Sequence, residues 1–125
     1  MYILDTHTLL WYLRNSEELS DTARNTINNA DYIFISVASL WEIAIKHSIG
    51  KLDLELSISQ IESLCAQKEI SILPIKGIHL DELKNLPKYH NDPFDRLIIC
   101  QSCVEDMPII TKDSIIPKYP VKTLW

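Results

Sequence analysis

The chain has 125 residues, 46% of them hydrophobic and 23% charged, the make-up of one globular domain with a core of its own. That composition excludes a collagen-like, low-complexity or disordered chain, and no apolar run is long enough to span a bilayer. The net charge of −5 is the reverse of the basic footprint usual in nucleic-acid binders, so strong affinity for a polyanion would need cations held in an acidic site.

Tyr2-Ile3-Leu4 reads as a short buried strand ending in a carboxylate, Asp5. These first residues lack the basic start and apolar run of a secretory signal, which makes the cytoplasm the expected location. The spacing over Thr6–Leu13 predicts a short helix, and Ser20 and Asp21 predict the start of a second that runs to Asn29. Tyr32–Ser36, rich in β-branched and aromatic residues, is a second strand. Val37–Ser48 is helical in spacing, with Gly50 as its stop. A helix over Ser57–Lys68, a strand over Ile70–Ile75 closed by Pro74, and a small helix over Ile78–Leu86 follow. Pro93 sits where the first residue of the next helix belongs, and this helix continues through Val104. Pro108–Thr111 is a strand, and Val121–Trp125 a last strand at an edge. Strands alternating with helices predict a single α/β domain over residues 1–125 with a mostly parallel sheet, whose ligand site lies at the carboxyl ends of the strands.

Three cysteines make no disulfide framework, and Cys100-Gln-Ser-Cys103, a lone C-x-x-C inside an apolar helix, reads as core. The four histidines are scattered and read as structural or surface residues. Trp11, Trp41, Tyr89 and Phe94 could stack bases, although aromatics at helical spacing are mostly core.

The acidic residues carry the chemistry. Asp5 ends a strand and also suits the N-cap of the helix after it. Glu42 lies in a helix that is apolar almost all round, so it is expected to be buried, and a buried carboxylate needs either a bound cation or a buried Lys or Arg. Asp92 and Asp95 flank Pro93, where Asp92 suits a cap, Asp95 the far member of a capping box and Arg96 an ion-pair partner. Asp113 follows Thr111-Lys112 and suits a turn. Each has a local explanation. As a set at strand ends they would repel one another unless hard divalent cations such as Mg²⁺ or Mn²⁺ sat between them, and such ions can activate water and clamp a phosphodiester.

In order along the chain, LDTHTLLW at 4–11, SVASLWEIAIK at 36–46, GKL at 50–52, LPI at 73–75, HNDPFDRLIICQ at 90–101, TKD at 111–113 and the final TLW resemble the PIN-domain ribonucleases, especially the VapC-type toxins of toxin–antitoxin pairs. The resemblance implies a three-layer α/β/α sandwich and a Mg²⁺- or Mn²⁺-dependent endoribonuclease site with Asp5, Glu42, Asp95 and Asp113 as metal ligands and catalytic residues. It places Asp92 beside that pocket, makes Thr6 and Thr111 candidates for orienting the aspartates, and gives Arg96 a supporting place. It also implies an RNA substrate, a homodimer and an antitoxin partner that blocks the groove, which the acidic charge would suit. Two other readings stand beside it. A PIN fold can serve as a non-catalytic binding module, which would be marked by missing carboxylates, and all four are present. Asp5-Thr6-His7-Thr8 faintly resembles the D-x-D-x-T of haloacid-dehalogenase-like phosphatases, but His7 stands where the second aspartate belongs.

Overall fold

The computed structural model describes residues 1–125. Strand β1 (Tyr2–Leu4) leads into α1 (Thr6–Leu13) and α2 (Asp21–Asn29), then β2 (Ile33–Ser36), α3 (Val37–Ser48) and α4 (Ile58–Gln67). The second half holds β3 (Ile70–Leu73), α5 (Gly77–Asp81), α6 (Pro93–Glu105), β4 (Ile109–Ile110) and β5 (Thr123–Leu124). The five strands form one sheet in the order β3-β2-β1-β4-β5, and every pairing is parallel. Ile3 stands between Phe34 of β2 and Ile109 of β4, so β1 is the central strand. The sheet is thus wholly parallel, and the edge position expected for the last strand is where β5 lies.

Parallel strands buried on both faces need apolar side chains on both, and these strands supply them alternately. Leu4, Ile33, Ile35 and Ile110 face a core shared with Leu9, Ala23, Ile43 and Ile61 of α1, α2, α3 and α4. Ile3 and Ile109 face the opposite way, onto Ile98, Ile99 and Cys100 of α6 and onto Met107, Ile116 and Tyr119. The two cores make the three-layer α/β/α sandwich. Cys65 and Cys100 are buried in them as free thiols, so the C-x-x-C run contributes packing.

Local signals set most boundaries. Ser20 caps α2 through Ala23 N, and Ser57 caps α4 in a reciprocal box with Gln60. Gly50, just past α3, has a φ of +73°, the left-handed conformation that ends helices most cheaply with glycine. The small helix expected over Ile78–Leu86 is instead α5 followed by a 3-10 turn at Glu82–Asn85. Pro87 holds Leu86 in an extended conformation and forbids a further helical turn. No helix is long and apolar enough to cross a membrane.

Candidate active site

At the carboxyl ends of β1 and β4 the chain opens into a crevice of about 480 Å³. Asp5, Thr6, Glu42, Asp92, Asp95 and Asp113 all line it, although they are spread from residue 5 to residue 113. The central position of β1 explains the convergence, because the chain leaves β1 toward β2 on one side and β4 on the other, and a crevice forms where the direction reverses.

On the sheet side, Asp5 N-caps α1, its Oδ1 accepting from Thr8 N at 2.9 Å. Its Oδ2 accepts from the Thr111 hydroxyl, and that hydroxyl in turn accepts from Asp113 N at 3.0 Å. Asp113 Oδ1 accepts from Ile115 N at 2.6 Å and Ile116 N at 3.0 Å, so it shapes a turn while its carboxylate lines the crevice. Thr111 itself is buried and ties Asp5 to the Asp113 turn.

On the helix side, Glu42 is buried in the second turn of α3. Its Oε1 accepts from the Thr6 hydroxyl at 2.6 Å, with the Ser39 hydroxyl 3.0 Å from Thr6 Oγ1. Its Oε2 pairs with Lys46 one turn on. Lys46, itself partly exposed, gives the buried carboxylate a cationic partner. Asp92 caps α6, its Oδ1 accepting from Phe94 N and Asp95 N, with Pro93 in the first turn as expected. Asp95 does not complete a capping box. Its Oδ2 lies 3.3 Å from His90 Nε2 instead. Arg96 pairs with no carboxylate and does not line the crevice; Nη1 donates to the Pro87 carbonyl at 2.9 Å and the Tyr119 hydroxyl at 3.1 Å.

Five carboxylates therefore face two lysines, Lys46 and Lys112, across one opening. Burial pushes Asp5 above the usual carboxylate range, against the pull of its hydrogen bonds from Thr111 and Thr8. Asp95 is pushed up to about 7, first by burial and then by the charge of Asp92, with Asp5 and Glu42 adding to the repulsion and the His90 hydrogen bond opposing it. Lys46 is raised by its bond to Glu42. The crevice holds more negative charge than its own cations offset.

No three of the carboxylate, imidazole and thiolate side chains form a ready-made cage for one ion. Apart from His7, which also lines the opening, the donors are hard oxygens around an open crevice, which fits Mg²⁺ or Mn²⁺, ions that keep several waters and take one or two carboxylates. It does not fit a closed nitrogen–sulfur site of the zinc type.

Sequence reasoning missed several groups here. Lys46 stands at i+4 from Glu42, a spacing that signals a pair on one helix face. Lys112 lies beside Asp113, reaches Glu18 at 3.1 Å and passes over the Trp11 ring. His90, read as structural or surface, touches Asp95, and nothing in the local sequence marks that contact. Among the aromatics, Trp41 is 59% exposed and packs edge-on against Phe94, rather than joining the core. His79 is fully buried, accepting from Lys76 N and meeting Glu105 at 2.8 Å, a structural role.

This fold and acidic crevice define the class of protein: the chain matches the PIN domain family over residues 2–122 and belongs to it. Two solved structures share its architecture. One is a chain of the crystal structure of VapBC2 from Rickettsia felis bound to a DNA fragment from their promoter, with a TM-score of 0.69 and 16% identity, over 98% of this chain and 96% of that one. The other is a chain of a toxin–antitoxin complex from Klebsiella pneumoniae, with a TM-score of 0.67 and 13% identity, over 100% of this chain and 97% of that one. No curated protein sequence matches the chain.

Proposed function

We propose that the protein is a metal-dependent endoribonuclease and the toxin of a toxin–antitoxin pair. One observation carries the reading: the PIN fold gathers five carboxylates at the carboxyl ends of its central strands, with a charge surplus that divalent cations would neutralise. Asp5, Glu42, Asp95 and Asp113 would hold one or two Mg²⁺ or Mn²⁺ ions, with Asp92 beside them. When bound, such ions supply Lewis acidity toward the phosphodiester and an activated water.

The chain's own groups do the rest. The Thr111 hydroxyl fixes Asp5 and the Thr6 hydroxyl fixes Glu42, so two carboxylates are oriented before any ligand arrives. Lys112 at the rim is placed to meet a phosphate oxygen, and Lys46 becomes free to do so once displaced from Glu42. Arg96 does not reach the crevice and is left a supporting role. The resemblance of fold to two toxin–antitoxin complexes supports a cognate antitoxin as partner, and basic side chains would suit the acidic opening. A homodimer in the cytoplasm completes the proposal, checked by the mass in solution and by fractionation.

The deciding experiment incubates purified protein with structured RNA and Mg²⁺ or Mn²⁺. Cleavage is expected, with loss in EDTA and in Asp5→Asn and Asp95→Asn. Cleavage that persists in EDTA or in both variants would remove the metal–carboxylate mechanism. No cleavage of any RNA, with no growth defect on expression, would point to a binding module. Phosphate release from a small phosphomonoester with an aspartyl-phosphate on Asp5 would point to a phosphatase.

A further inference from the structure

Tyr119 is almost fully buried beneath the α6 end of the crevice, and its hydroxyl is a junction of four polar contacts. Tyr89 N at 3.1 Å, His90 N at 3.2 Å and Arg96 Nη1 at 3.1 Å all donate to it. The fourth and shortest contact is His90 Nδ1 at 2.7 Å. A phenol oxygen has two lone pairs and one proton. Three N–H groups already compete for the lone pairs, and none of them can accept the proton. A protonated Nδ1 would be a fourth donor and would leave the phenol proton without an acceptor in a buried place, which is costly. The phenol therefore donates to Nδ1. In a neutral imidazole the proton must then sit on Nε2, and Nε2 is the atom 3.3 Å from Asp95 Oδ2.

We propose that Tyr119, held by Arg96, fixes His90 as its Nε2–H tautomer and so makes His90 a positioning residue that aims the carboxylate of Asp95 into the crevice. The proposal rests on Asp95 being a metal ligand, as argued above, and deepens that reading. It gives Arg96 a task compatible with its distance from the crevice: the guanidinium spans the Pro87 carbonyl and the Tyr119 hydroxyl and lies over the Tyr119 ring. The 3.3 Å separation is longer than the usual N–H···O hydrogen bond, so the contact guides the carboxylate without clamping it.

The test has a readout independent of catalysis. Nitrogen-15 shifts of the His90 ring in metal-free protein should show the proton on Nε2, and Tyr119→Phe should mix the two tautomers while leaving the fold intact by circular dichroism. Mn²⁺ binding by calorimetry should weaken about tenfold in Tyr119→Phe, the usual cost of a lost outer partner. His90→Gln, which keeps an N–H at the ε position, should retain most of the affinity that His90→Ala loses. A proton on Nδ1 in the unaltered protein, or no tautomer change in Tyr119→Phe, overturns the relay whatever the metal does. Unchanged Mn²⁺ affinity in Tyr119→Phe beside a large loss in Asp95→Asn overturns it too, while the metal site stands. Full Mn²⁺ affinity in Asp95→Asn would remove the reading of the site itself and the proposal with it.

Discussion

Asp5 and Asp113 are each held by at least one backbone amide, whereas Glu42 and Asp95 are held only by other side chains. Asp5 takes the Thr8 amide and the Thr111 hydroxyl, and Asp113 takes two amides of its own turn. Glu42 depends on Thr6, 36 residues away, and on the long arm of Lys46, and Asp95 on the ring of His90. The first pair is therefore set as soon as β1, β4 and α1 are in place. The second pair can reorient at the cost of a side-chain contact or two, and it includes Asp95, the group that like charge and burial push up to about 7. The crevice has a stiff sheet side and a more adjustable helix side.

Four measurements would break or sharpen that contrast. The largest effect is expected from Asp5→Asn, which should cost about 10²–10³-fold in RNA cleavage, the scale of one lost electrostatic stabiliser. Its unfolding midpoint in EDTA should not fall, because one of the charges repelling Asp95 disappears. A large drop in that midpoint would mean that Asp5 is chiefly structural. Next, Lys46→Ala strands the buried Glu42. Breaking a fully buried pair costs about 3–5 kcal/mol, but the Lys46 side chain is 38% exposed, so about 1–2 kcal/mol is expected by denaturant titration without metal. Mn²⁺ should then raise the midpoint of this variant more than that of the unaltered protein, since a cation can take the place of the lysine. Third, Thr111→Val should weaken Mn²⁺ binding about tenfold. Thr6→Val should weaken it less, because Glu42 keeps Lys46. The reverse ranking would refute the division into stiff and adjustable sides.

The smallest effect is on pH dependence. Asp5 and Asp95 both stand above the ordinary value of 3.8 in the folded chain, so folding favours their protonated forms. Metal-free protein should gain stability as pH falls through about 7 toward 4, and lose it as pH rises again. Cations need the ionised carboxylates, so the shift in midpoint given by Mn²⁺ should shrink over the same fall. A metal-free midpoint that drops between pH 8 and 6 would contradict the raised carboxylates.

The same contrast separates what was legible in the sequence from what was not. Strand and helix identities could be read from spacing, and the caps at Asp5, Ser20 and Asp92 could be read because a cap binds an amide two or three residues away. The expected capping box at Asp95 failed for a long-range reason. Tyr119, 29 residues beyond His90, holds the imidazole where it meets Asp95. Glu42 was rightly expected to be buried, but Lys46 was overlooked although it lies in the same helix. Arg96 looked like an ion-pair partner because charge is visible in a sequence, whereas the carbonyl of Pro87 and the phenol of Tyr119 that it binds are not.

The central place of β1 also bears on how the molecule comes into being. Its partner β2 is made soon after it, but β4, on its other flank, is completed only at Ile110, and Thr111 and Asp113 come later still. During synthesis β1 remains an open border until most of the chain has emerged, and such distant pairings form slowly. Until then Asp5 lacks the Thr111 hydroxyl and the crevice lacks one wall. A nascent chain therefore carries no assembled acidic centre beside the ribosome that is making it, and the finished one acquires it only once β4 has docked beside β1.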